Sequence, residues 1–210
     1  MIRIFIADDH AVVRQGIKQI IEEQRDMLVI GEAKNAQETL DFLHKKIADV
    51  VILDISMPGK TGLEILKDLK HLSKNLHVLV LSMYPEEQFA TRAIKSGASG
   101  YMTKESAPEE LVRAIRRVYS GGKYVSAALA EKLIFDFETD QTKPPHELLS
   151  DREFQVLCLM GMGKTASEIA KEISLSVKTI STYRSRILEK MKMKSNAELT
   201  RYSIKNKLVE

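Results

Sequence analysis

The chain has 210 residues, 44% of them hydrophobic, which is enough for two small domains with real cores and excludes a wholly disordered protein. Its one cysteine, Cys158, excludes an intramolecular disulfide and any cysteine-cluster metal site. The net charge of +3 is unevenly spread: residues 146–210 hold 12 Lys/Arg against 8 Asp/Glu, and the remainder holds 20 against 21. In chain order, short apolar runs at 2–7, 28–33, 50–53, 77–81 and 100–102 read as strands. They alternate with amphipathic stretches at 11–23, 36–45, 62–70, 86–96 and 108–120 that read as helices. Five such βα units predict an α/β, flavodoxin-like, doubly wound parallel sheet of order 2-1-3-4-5 with helices on both faces. Gly121-Gly122 closes the last of these helices, and a short helix is expected near 127–135. The polar run from Asp136 to Pro145, ending in a proline pair, reads as a linker.

From Leu149 onward the periodicity is purely helical. Ser150 and Glu153 have capping-box spacing at the start of a first helix. Cys158 falls in its apolar pattern with Phe154, Val156, Leu157 and Leu159 and is expected in the core. Further helices are expected over 165–173, 176–192 and 196–206, making a small all-α, four-helix domain. On the third, Val177, Ile180, Ile187, Leu188 and Met191 fall on one side, opposite Lys178, Ser181, Thr182, Ser185, Glu189 and Lys192. Six basic residues between 176 and 194 face the single acid Glu189, as a polyanion-binding surface requires. A solvated helix face would look similar on charge alone.

The stretch Phe5-Ile6-Ala7-Asp8-Asp9-His10 ends a buried strand in two adjacent carboxylates. Two such anions repel by roughly 1 kcal/mol in water and by several at a lower dielectric. Strands 1 and 3 are neighbours in the expected sheet, so Asp54, directly after Val50-Val51-Ile52-Leu53, joins them in one cleft at the carboxyl edge, where such sheets bind ligands. Three hard oxygen donors suit Mg2+, which commonly bridges carboxylates to a phosphoryl group. Ser82 and Lys104, at the ends of strands 4 and 5, add a hydroxyl and an ammonium able to hold phosphoryl oxygens. Any one of these residues alone reads as a surface charge or a cap; four strand ends in order do not. His10, in the turn after strand 1, carries no catalytic expectation.

Asp8-Asp9, Asp54-Ile55-Ser56-Met57-Pro58-Gly59, Leu81-Ser82 and Tyr101-Met102-Thr103-Lys104 together resemble the receiver domain of two-component response regulators. The resemblance implies Asp54 as phosphoacceptor, Asp9 as direct Mg2+ ligand, Asp8 acting mainly through water, and the Ser56 carbonyl as third protein ligand. It further implies Ser82 as switch hydroxyl, Tyr101 as a switch aromatic that follows inward, and Lys104 as the lysine on the phosphoryl group. A sensor histidine kinase or a small acyl phosphate would be the donor. Leu149-Ser-Asp-Arg-Glu153, Glu168-Ile169-Ala170, Leu175 to Ile180 and Arg186 to Met191 are similar to the helix-turn-helix of the NarL/FixJ (LuxR-type) regulators.

The expected organisation is a receiver at 1–121, a linker at 122–147 and a DNA-binding domain at 148–210. Lys178, Ser181, Thr182 and Ser185 would meet the bases of double-stranded promoter DNA; Thr179, Tyr183 and Arg186 would touch phosphates or pack. The resemblance also implies that the unmodified receiver covers the recognition helix, that phosphorylation frees it and favours a homodimer through helix 196–206, and that RNA polymerase is a candidate partner. No apolar run approaches the ~20 residues that cross a bilayer, and Met1 leads directly into the first strand without a basic leader. A cytoplasmic protein with no membrane partner is therefore expected.

Three rival readings are weaker. An aspartate-based phosphatase typically needs an Asp-x-Asp pair, which Asp54-Ile55-Ser56 lacks. A receiver could instead serve as an interaction module without phosphorylation. Gly161-Met-Gly-Lys-Thr165 resembles a nucleotide-phosphate loop, but Cys158 stands where that loop needs its first glycine, and a helix precedes it instead of a strand.

Overall fold

The computed structural model describes residues 1–73, 75–138 and 144–209. The chain divides into two compact units, Met1–Lys132 and Leu133–Glu210. In the first, β1 (Ile2–Ala7), β2 (Met27–Ala33), β3 (Val50–Leu53), β4 (His77–Ser82) and β5 (Gly100–Thr103) form an all-parallel sheet of order 2-1-3-4-5. The connecting helices are α1 (Ala11–Glu22), α2 (Ala36–Leu43), α3 (Gly62–Leu72) and α4 (Glu86–Lys95), with α5 (Pro108–Tyr119) after β5.

Side-chain alternation along the strands explains both layers. Ile4, Ile6, Val50, Ile52, Leu79 and Leu81 pack on Ile17 and Ile21 of α1 and on Leu111, Ile115 and Val118 of α5. Phe5 points the other way and stacks on Phe42 of α2 with ring centroids 4.5 Å apart. The central strand β3 is buried throughout, as a strand covered on both faces must be.

One glycine is fixed by a close approach. A Cβ at Gly62, the first residue of α3, would lie 2.1 Å from the Asp54 carbonyl oxygen. The capping box of Thr61 and Glu64 then holds the start of α3 against the end of β3.

The first unit continues past Gly121-Gly122. Tyr124 runs beside β5 as a short extra edge: its N–H donates to the Ser99 carbonyl at 3.0 Å, and its carbonyl accepts from Tyr101 N at 3.0 Å. Ser126 N donates to Glu86 Oε1 of α4 at 3.1 Å, and α6 (Ala127–Glu138) follows. The stretch expected as a linker thus contains a twelve-residue helix; its residues 139–143 lie outside the described residues.

The second unit is helical. A 3-10 turn (Pro145–Leu148) precedes α7 (Asp151–Gly161), α8 (Ala166–Glu172), α9 (Val177–Lys190) and α10 (Asn196–Lys205). Capping boxes open α7 (Ser150, Glu153) and α8 (Thr165, Glu168), while Ser176 and Ser195 cap α9 and α10. Every residue of α7, Cys158 included, is buried. His146 Nδ1 lies 2.8 Å from the Tyr202 hydroxyl and ties the 3-10 turn to α10.

The nucleotide-loop look-alike is spent on helix ends. α7 stops at Gly161, Gly163 takes the left-handed φ of 83° that favours glycine, Thr165 caps α8, and Lys164 pairs with Glu172.

Glu153 does two jobs. It accepts from Ser150 N at 2.8 Å and from Lys190 Nζ of α9 at 2.6 Å. Burial opposes its ionisation, but the Lys190 and Ser150 hydrogen bonds outweigh this and leave its pKa below the ordinary 4.5. A carboxyl with a depressed folded pKa adds stability above its unfolded pKa and loses it as pH falls through the folded value. Glu153→Gln is therefore expected to cost about 1.5 kcal/mol near pH 7. Urea unfolding monitored on the helical unit should show the gap to wild type closing below pH 4.5.

Candidate functional site

The carboxyl edge of the sheet gathers the acidic residues. Asp8 and Asp54 follow β1 and β3 and are both buried. Asp54 N donates to the Ala7 carbonyl at 2.8 Å, which locks the two strand ends together. Lys104, just beyond β5, places its Nζ 2.6 Å from Asp8 Oδ2 and 2.9 Å from Asp54 Oδ2. Burial, joined by the Asp8 charge and opposed by Lys104, raises the Asp54 pKa above its ordinary 3.8. Burial would lower the Lys104 pKa, yet Asp54 and Asp8 together leave it raised. From the sequence, relief of the carboxylate repulsion falls to a metal. In the structure the Lys104 ammonium already lies between two of the three acids.

The remaining residues complete the cleft. Asp54 Oδ1 accepts from Ser56 N at 3.2 Å. Asp8 Oδ1 accepts from His10 N at 2.8 Å, and Arg14 Nη1 donates to the Asp8 carbonyl at 2.7 Å. One ligand atom each from Asp8, Asp9, His10 and Asp54 lie within 4.8 Å of one another. Asp9 Oδ1 is shielded from solvent without a hydrogen-bond partner, although His10 Nδ1 lies 2.9 Å away. An orphaned carboxylate oxygen facing other carboxylates is the position a cation would satisfy, so the residues fit a divalent ion. His10, which carries no expectation from the sequence, thus borders the acidic cluster; its place beside Asp8-Asp9 was the signal available.

Ser82 is the last residue of β4, buried, and its Oγ accepts from Tyr84 N at 3.1 Å. Tyr101, expected as a switch aromatic that follows inward, already lies inward. Its ring is 2% exposed and its hydroxyl donates to the Tyr84 carbonyl at 2.8 Å. Tyr84 stacks on Phe89 of α4 with centroids 4.7 Å apart, so a contact chain runs from β5 to α4. Neither Tyr84 nor Phe89 stands out in the sequence, because only the fold brings the β4–α4 turn over β5.

The second unit carries the other expected surface. On α9, Ile180, Ile187 and Met191 are buried, Leu188 is half-buried, and Val177 is 47% exposed. Val177, expected on the apolar side, is instead exposed at the first position of α9. Ser176, Lys178, Thr179, Thr182, Tyr183 and Arg186 line one concave surface; Ser181 and Ser185 are exposed on the same helix. The hydroxyls of Ser181, Thr182 and Ser185 donate to the carbonyls of Val177, Lys178 and Ser181 at 3.0, 3.0 and 3.1 Å. Their hydrogens are used by their own helix, so their outward lone pairs act as acceptors.

A parallel-sheet receiver with an acidic carboxyl-edge cleft, followed by a helix-turn-helix unit, defines a signal-responsive DNA-binding regulator. Residues 4–116 match the response regulator receiver domain, and residues 147–203 match the bacterial regulatory proteins of the luxR family. The chain belongs to the NarL/FixJ family of two-component response regulators, which act in transcription regulation. It is 34% identical over 209 residues to the response regulator UvrY of Escherichia coli (strain K12), covering 99% of this chain and 96% of that one. It is 37% identical over 216 residues to the oxygen regulatory protein NreC of Staphylococcus epidermidis, covering 99% of each. Among solved structures, RcsB of Salmonella enterica serovar Typhimurium bound to promoter rprA with phosphomimetic BeF3- superposes with a TM-score of 0.63. That match has 28% identity and covers 96% of this chain and 98% of that one.

Proposed function

We propose that Asp54 accepts a phosphoryl group from a sensor histidine kinase or a small acyl phosphate, and that this modification raises the affinity of the helical domain for promoter DNA. The observation that carries the reading is the convergence of Asp8, Asp54 and Lys104 within 2.9 Å contacts at one sheet edge. An Asp54 oxygen attacks phosphorus, an O–P bond forms, and the bond from phosphorus to the donor breaks. The donor leaves with its electron pair. Lys104 then turns from carboxylate to phosphoryl oxygen, and the Ser82 hydroxyl, still accepting from Tyr84 N, donates its own hydrogen to a second one. Because Tyr101 already lies inward, the modified state is a tightening of the Ser82–Tyr84–Tyr101 chain and needs no ring entry from outside. Phosphorylation is self-modification reversed by water, with no turnover of an outside substrate.

Mg2+ fits the site, held by Asp9, by Asp54, by the Ser56 carbonyl and through water by Asp8, and when bound it neutralises the oxygens of the incoming phosphoryl group. On the helical domain, Lys178, Ser181, Thr182 and Ser185 face the major groove. The outward acceptors of the three hydroxyl residues suit the exocyclic amines of cytosine or adenine. Thr179, Tyr183 and Arg186 hold the phosphate backbone. The phosphorylated protein binds as a homodimer through α10, in the cytoplasm, and RNA polymerase is the partner it positions.

Acetyl phosphate with Mg2+ is expected to label wild type stoichiometrically and Asp54→Ala not at all, read by intact-protein mass or phosphate-affinity gels. Equal labelling of both would remove Asp54 from the role. Labelling without any change in DNA affinity would favour the interaction-module reading instead.

A further inference from the structure

The opposite edge of the sheet carries a second charged constellation. Lys70, in the last turn of α3, donates from Nζ to the Leu76 carbonyl at 2.7 Å. Lys123, after α5, donates from Nζ to the Ala98 carbonyl at 2.7 Å. Leu76 and Ala98 lead into the adjacent strands β4 and β5, so each ammonium group sits over the start of one of two neighbouring strands. His77, the first residue of β4, directly follows Leu76, whose carbonyl Lys70 caps. Its pKa falls below the ordinary 6.5 through burial and then through the charges of Lys70 and Lys123. Burial lowers both lysine pKa values, and the Lys123 charge lowers that of Lys70 further.

Capping a carbonyl accounts for one N–H of each lysine and leaves two on each, four donors in all. It does not account for two cations placed side by side. Among the described residues neither lysine has an ion-pair partner, and the nearby acid Asp49 is taken by Arg3 at 2.7 Å. The partial negative charge at the α3 C-terminus, about half a unit, offsets only part of the excess.

We propose that Lys70, Lys123 and His77 form a receptor for a phosphate group. Two positive charges with four free N–H donors match a tetrahedral dianion in charge and in oxygen count, whereas a single carboxylate would leave one cation unanswered. The site lies one strand length, about 17 Å, from the aspartate cluster. A ligand there braces the starts of β4 and β5, the two strands whose other ends carry Ser82 and Lys104.

The test titrates the full-length chain, free of divalent metal and at constant ionic strength, with inorganic phosphate and separately with adenosine monophosphate. The His77 ring resonances serve as a local reporter. A saturable shift with a dissociation constant of about 1 mM or tighter is expected, weakened about tenfold or more in Lys123→Gln and in Lys70→Gln. Equal affinity for both ligands would identify the phosphate group alone as the determinant; tighter binding of the nucleotide would identify a nucleotide as its source. Lys123 lies at the surface with only its ammonium end partly covered where it caps Ala98, so its variant remains folded and informative even if Lys70→Gln does not fold. A shift that rises linearly to about 50 mM, far above that dissociation constant, would overturn the proposal. So would unchanged binding in folded Lys123→Gln.

Discussion

Lys104→Met is expected to destabilise the metal-free receiver by about 3 kcal/mol. The substitution keeps an unbranched apolar stem one atom shorter and removes the charged N–H donors at its end. It leaves Asp8 and Asp54 buried beside each other with no cation between them. One carboxyl must then take up a proton, and the variant should become less stable relative to wild type as pH rises. The sign follows from linkage: an acid whose folded pKa exceeds its unfolded value binds more protons when folded. Raising the pH from its unfolded pKa, near 3.8, toward the folded one therefore removes stability. Urea unfolding at pH 5 and pH 8, with Lys104→Met/Asp54→Asn alongside, measures this. The double variant should recover a large part of the loss, because one of the two charges is gone. A loss under about 1 kcal/mol at pH 8 would mean that water, and not Lys104, compensates the pair.

The second large effect concerns DNA. Removing both charges in Lys178→Ala/Arg186→Ala should weaken binding of the phosphorylated protein to its promoter fragments about a hundredfold near 0.1 M salt. It should also flatten the dependence of log K on log salt by about 1 for each phosphate no longer neutralised. The two single variants are expected to differ in kind. Arg186→Ala should weaken all sequences alike, as removal of a phosphate anchor does. Lys178→Ala should also relax preference at one base pair, costing about 1–3 kcal/mol at that position. Both side chains are exposed and line the concave surface of α9, so the helical unit should keep its stability. Fluorescence anisotropy across a salt series separates the outcomes, and an unchanged salt slope in the double variant would take α9 away from the DNA backbone.

The strand ends were legible because period and order leave little freedom. Once βα units alternate, parallel pairing puts every carboxyl end on one edge, and Asp8, Asp54, Ser82 and Lys104 must gather there. What the sequence could not supply is where a side chain goes when it has two places to go. The inward place of Tyr101 depends on the Tyr84 carbonyl, contributed by the turn between β4 and α4. Lys104 could have pointed to solvent; the paired buried carboxylates draw it in. The departures on the helical side have a similar origin. Val177 obeys the apolar spacing of α9 but is its first residue and exposed, so periodicity named its face without guaranteeing its burial.

The strand-like run around Tyr124 bears on anyone wishing to fuse this receiver to a different output. The glycine pair at 121–122 looks like a natural splice point, yet a cut there would strip β5 of the Tyr124 backbone partners and α4 of its Glu86–Ser126 tether. The exposed β5 edge would then be open to pairing with another chain. A chimera joined after Ser126 keeps that edge closed and inherits a receiver whose exit is still fastened to α4.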